Sequence, residues 1–208
     1  MARKPTLSPS KLSTYLACPV KYKWTYVDER GRWYRRSRKQ FSFGTSLHAV
    51  LQRFHDSGDA GVETVAQATA ALEENWIEAG YSSQDEMMQA LDEGKEILER
   101  YIETYAAEPV TAKTLFVEKT LRLDLGEFEL LGRLDRVDET DDGSLEVVDY
   151  KTGRTQVEAD DVATDLAMGC YQLLLRAHHG GRHVRARIVA VRTGASATAS
   201  MTDSEARQ

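Results

Sequence analysis

A change of hydrophobic period near Leu115 constrains this chain more than any other feature. Before it, apolar residues recur at helical steps, as in Phe43, Leu47, Val50, Leu51 and Phe54. That spacing makes one stripe, which a helix must bury. After it, LFVEKTLRLDL alternates, and FELLGRLDRVD, SLEVVDYK and HVRARIVAVRT are of strand length. The order predicts an α/β fold with a mixed sheet: a helical first part over residues 1–110 and a sheet-bearing part over 111–208, joined in one domain of 208 residues.

Local signals divide these halves further. Ser8-Pro9 reads as an N-cap with proline in the first turn. Leu12, Tyr15 and Leu16 follow at helical spacing, and Pro19 ends that helix and opens another turn. Residues 29–40, ERGRWYRRSRKQ, lack apolar periodicity apart from Trp33-Tyr34 and read as a loop or a short exposed extension. A helix is expected from Phe43-Gly44 to the SGDAG stretch at 57–61, with two more over 62–79 and 84–107. The strand over 115–125 turns through Gly126-Glu127 into FELLGRLDRVD, and DETDDGS turns into SLEVVDYK, an antiparallel meander. One helix is expected over 160–179, with Val162, Leu166, Cys170, Leu173 and Leu174 inward, before a fourth strand. The tail from Gly194 is small and polar; MTDSEARQ reads as the start of a helix, either short or completed beyond Gln208.

Composition excludes some classes. Hydrophobic residues at 41% and charged residues at 29% suit a globular chain, not a disordered one. Apolar runs are too short to span a membrane, and MARKPTLSPS lacks a signal-peptide core, so a cytoplasmic protein is expected. Cys18 and Cys170 are expected to be free and buried. Net charge is −6, yet Lys21, Lys23, Arg30, Arg32, Arg35, Arg36, Arg38 and Lys39 crowd one segment. With Trp24, Trp33 and Tyr34 interleaved, that segment suits phosphate contacts and stacking on unpaired bases. Lys4, Lys11 and Arg154 could extend such a groove.

The chemistry concentrates at VVDYKTG. Asp149 and Lys151 alternate on a strand and so share a face. The hairpin through DDGS brings Asp135 of GRLDRVD towards Asp149. Paired carboxylates stay ionised mainly around a cation, and hard oxygen ligands suit Mg²⁺ or Mn²⁺. Lys151 beside them could hold a water and offset phosphoryl charge. An acid-x-Lys pair alone is common as a surface ion pair; the second acidic strand supplies the specificity.

These motifs, in order, resemble the RecB-like and Cas4-like branch of the PD-(D/E)XK nucleases. GRLDRVD is similar to the family's G-x-x-D-x-x-D strand and VVDYKTG to its D-x-K strand. SPSKLSTYLACPVKYKWTYV resembles its N-terminal helix, and FGTSLHAVLQRFH its Gly-x-x-x-His helix. The resemblance implies a restriction-endonuclease-like core and a metal held by His48, Asp135, Asp149 and the carbonyl of Tyr150. It implies catalysis by these residues with Lys151 and Tyr171, and DNA contacts from Lys21, Lys23, Trp33, Tyr34, Arg35, Arg36, Arg38, Lys39 and Arg154. Glu118 matches an acid of the family's first strand, and is equally readable as an exposed strand glutamate. His55 is read as a surface residue, and His178, His179 and His183 as solvated.

Two departures qualify the match. The family carries Gln four residues before Tyr171, where this chain has Ala167; Gln172 points about 100° away around the helix. Cys18 matches the early cysteine of Cas4-type members, but the late trio is missing, so no iron–sulfur cluster is expected. The expected activity is Mg²⁺- or Mn²⁺-dependent hydrolysis of DNA, in repair, recombination or phage DNA processing, with a helicase or recombination protein as possible partner. The alternatives are a non-catalytic DNA-binding subunit of the same fold and a Cas4-like accessory.

Overall fold

The computed structural model describes residues 4–31, 38–56, 61–107, 111–153, 156–180 and 182–202. The chain opens with the short strand β1 (Thr6–Leu7) and helix α1 (Pro9–Ala17). Ser8 caps α1 by accepting from the Lys11 N–H, with Pro9 in the first turn. Helix α2 (Pro19–Tyr22) restarts at Pro19 under the Cys18 thiol, and a wider turn follows over Lys23–Val27. Helices α3 (Lys39–His55), α4 (Val65–Glu74) and α5 (Gln84–Ala107) complete the first part. Thr64 and Gln67 close a capping box on α4.

The strands are β2 (Ala112–Asp124), β3 (Glu129–Thr140), β4 (Leu145–Lys151), β5 (Val184–Ala190) and β6 (Ala195–Ala199). Between β4 and β5 lie α6 (Ala159–Thr164) and α7 (Leu166–His178). β3 pairs antiparallel with β2 along one edge; its other edge takes β1 in parallel at Glu129–Leu130 and β4 antiparallel at Arg136–Glu139. β4 and β5 are parallel, as the intervening helices require, and β6 returns antiparallel on β5. The expected α/β fold with a mixed sheet is present.

The sheet divides two cores. On one face, Phe43, Leu47 and Leu51 of α3, Leu72 of α4 and Leu98 of α5 pack with Val148, Tyr150 and Val191. On the other, Met168, Leu174 and Leu175 of α7 cover Val137, Val147 and Ile188. Each such large side chain contributes about 1.5–3 kcal/mol on burial.

Several expectations need correction. α3 begins four residues before Phe43, and the helix expected over 62–79 is shorter, Val65–Glu74. The helix expected over 160–179 is two: the Asp165 carboxylate takes the N–H groups of Ala167 and Met168 and caps a new helix there. The small, polar tail contains β6, which forms because the free edge of β5 needs a partner. Cys18 is half-exposed, and Cys170 is buried as expected. Most of MTDSEARQ lies outside the described residues.

Candidate active site

The site forms where β3 and β4 part. Their register stops at the Arg136–Val148 pair. Beyond it the Tyr150 N–H is taken by the side chain of Asp135, donating to Oδ2 at 3.0 Å. The Tyr150 carbonyl instead faces α3, where His48 Nε2 lies 3.0 Å away. One peptide residue is thus held from both sides by expected ligands. His48 Nδ1 lies 3.4 Å from Asp135 Oδ2 and 4.0 Å from Glu118 Oε1.

Glycines permit these approaches. A Cβ at Gly44 would lie 3.0 Å from Thr152 Oγ1, so the glycine of the GTSLH segment lets α3 close on the end of β4. A Cβ at Gly132 would lie 2.5 Å from Leu174 Cδ1 and 3.0 Å from the Tyr171 ring. The glycine of GRLD therefore seats α7 on β3 and brings Tyr171 to the site.

Glu118 belongs to the site. Ligand atoms of His48, Glu118 and Asp135 lie within 4.8 Å of one another. The Glu118 backbone has φ of 48°, a left-handed conformation rare outside glycine that marks local strain. It sits between the Val117–Arg136 and Lys119–Leu134 pairs, and its other oxygen holds Arg133 at 2.5 Å. Alternation shows an acid at 118; it does not show that the pairing of β2 with β3 sets that acid opposite Asp135.

Asp149 stands outside that triad of ligand atoms. It is 7% exposed, and Lys151 Nζ lies 2.7 Å from its Oδ2. This ammonium is the ion-pair partner of an otherwise buried carboxylate. Burial, with Asp135 nearby, pushes the Asp149 carboxyl up to about 6 against the pull of Lys151. Burial likewise raises Glu118, reinforced by Asp135 and opposed by Arg133 and His48. For His48 and Lys151 burial favours the neutral form. Asp135, Asp149 and Glu118 together outweigh it for His48, and Asp149, Asp165 and Asp135 together for Lys151, so both titrate above their ordinary values. Crowded carboxylates beside an imidazole, their ligand atoms within 4.8 Å of one another at Glu118, Asp135 and His48, fit a cation.

Over residues 6–207 the sequence matches the PD-(D/E)XK nuclease superfamily. The chain belongs to this superfamily. No curated protein matches it. PD-(D/E)XK nucleases are metal-dependent, and the donors assembled here are of the kind a divalent metal takes.

Other expected residues fall in different places. Tyr171 lies on α7; burial and then the charges of Asp149 and Asp135 push its hydroxyl above its usual value, so it stays protonated. Gln172 does not reach towards the site: its Oε1 accepts from the Met201 N–H and pins the C-terminal segment. Lys21, Lys23 and Arg38 are exposed. Lys39 forms an ion pair with Glu86 of α5. Trp33, Tyr34, Arg35, Arg36 and Arg154 lie outside the described residues.

His55 corrects the surface reading. It is buried against Tyr101, Tyr105 and Arg136, because the charged Arg136 turns inward from β3 and needs acceptors. His178 is exposed and meets the Arg122 carbonyl at 2.8 Å. Two cavities flank the end of β4. One, of about 600 Å³, lies between α3, α5 and Thr152–Gly153; the other, of about 320 Å³, is lined by Lys151, Gly153, Asp161 and Asp165.

Proposed function

We propose that the chain is a Mg²⁺- or Mn²⁺-dependent deoxyribonuclease of the RecB-like exonuclease type, working in DNA repair, recombination or phage DNA processing. The observation that carries this reading is the meeting of Asp135 and His48 at Tyr150, with Glu118 beside them and the Asp149–Lys151 pair on the same strand end. His48, Asp135, Asp149 and Glu118 would hold the metal, with the Tyr150 carbonyl facing His48. When bound, the ion supplies Lewis-acid stabilisation of charge on the phosphoryl oxygens.

The side chains have separable tasks. Lys151 is held as an ammonium, so it orients water and phosphate rather than removing a proton. Asp149 fixes that ammonium at 2.7 Å. Tyr171 keeps its proton and can donate to a phosphate oxygen. The exposed Lys21, Lys23 and Arg38 would contact the DNA backbone.

A second reading, a non-catalytic DNA-binding subunit, is favoured by one observation: Ala167 occupies the family's Gln position. The deciding experiment is digestion of end-labelled linear and circular DNA with Mn²⁺, beside Lys151→Ala. We expect metal-dependent cleavage of linear DNA, reduced about 10²-fold or more in the variant. DNA binding without cleavage by the folded wild type would select the second reading.

A further inference from the structure

We propose that a small basic cavity, on the sheet face opposite Asp149 and Lys151, binds a phosphate group. The register Arg136–Val148–Arg187 sets these side chains on the face that alternates with Asp149. Arg100 of α5 joins Arg136 and Arg187 around a cavity of about 90 Å³, room for about three waters. Tyr101, Tyr105 and Ser196 also line it, and among the described residues no carboxylate does.

The wall holds unsatisfied donors. Arg136 is 5% exposed. Its Nη1 donates to the Tyr150 hydroxyl at 2.7 Å and its Nη2 lies 3.0 Å from Asp138. Its buried Nε–H has no acceptor among the described residues. The buried Nε–H of Arg187 is in the same state: Glu146 Oε2 is 3.0 Å away but off the hydrogen-bonding line. Glu146 is also shared with Arg185. A buried donor left unpaired is costly, and guanidinium forks match an oxyanion's geometry. Water would satisfy the N–H groups without answering the surplus of positive charge.

The cavity is tied to the candidate metal centre. Arg136 holds the Tyr150 hydroxyl, and the Tyr150 backbone meets Asp135 and His48. Hydrolysis of a phosphodiester releases a phosphomonoester, with more negative charge than its substrate. A bound product phosphate could therefore act back on the site. That link rests on the nuclease reading; the binding itself does not.

The test titrates the metal-free full chain, in a chelator, with inorganic phosphate and separately with dAMP, by calorimetry at fixed ionic strength with chloride as control. We expect saturable phosphate binding and none of chloride. Arg187→Gln should weaken it about tenfold, while Arg185 still holds Glu146. If that variant fails to fold, Arg100→Gln on the outer helix carries the same expectation. Binding of dAMP lost in the same variant extends the ligand to phosphomonoesters; phosphate alone, lost likewise, restricts it to the free ion. No saturable binding, or binding unchanged in both variants, overturns the proposal. The measurement uses neither metal nor DNA, so failure of the cleavage assay leaves it intact.

Discussion

Asp149 carries an electrostatic load set by burial and by the neighbouring Asp135. Its folded pKa of about 6 lies above the ordinary value near 3.9. The unfolded chain therefore ionises first, and stability is lost as pH rises from about 4 to about 6. Asp149→Asn should then raise the stability of the metal-free protein above pH 6 while removing cleavage, as denaturant midpoints and the DNA assay would report. A midpoint that falls would contradict this electrostatic account. Gly132 gives a steric counterpart. Its missing Cβ makes room for Leu174 and Tyr171, so Gly132→Ala should cost about 1–3 kcal/mol in urea unfolding. An unchanged midpoint would mean that α7 can retreat freely. At this scale Asp135, Asp149 and Lys151 were legible as candidates from their types and spacing on adjoining strands, and His48 only through the resemblance of its helix to the family's. The place of Glu118 was not, since the register of β2 on β3 sets it.

Elements meet the same limits through packing. α3 reaches β3 through His55 and Arg136, whose closest nitrogens are 2.6 Å apart. Burial and then the Arg136 charge hold His55 neutral, with its pKa lowered to about 2. The unfolded chain takes up that proton near pH 6.5 and the folded chain does not. Stability is thus fully present above pH 6.5 and falls below it, approaching about 1.4 kcal/mol per pH unit from this group. His55→Gln keeps an acceptor for Arg136 and should remove that slope between pH 6 and 4.5, measured as the difference between the two proteins' denaturant midpoints. Parallel pH curves would show that His55 is not the source. The sequence led to a surface reading of His55 because a helix histidine carries no mark of the arginine that another strand will bring. The break at Asp165 was hidden for a related reason: apolar spacing runs through it, and only the capping geometry separates two helices.

Across the whole molecule, the sheet is the wall shared by two cores. Removing the helices over 1–110 would expose Val148, Tyr150 and Val191 and leave Arg136 without His55 and Tyr101. We therefore expect the intact chain to unfold in one cooperative transition, and a fragment of residues 111–202 to show none by circular dichroism. A fragment that melts cooperatively would establish the sheet part as an independent unit.

By itself, the sequence determined the switch from helical to strand period, the meander and the acidic-lysine strand end, because local spacing decides which face of each element is apolar. Tertiary structure decided which groups share the site. Glu118 joins His48 and Asp135 there, Arg136 and His55 are buried together, and Ala195–Ala199 becomes a strand. Each of these depends on residues far apart in the chain, whose charge and hydrogen-bonding needs are met only once the sheet has formed.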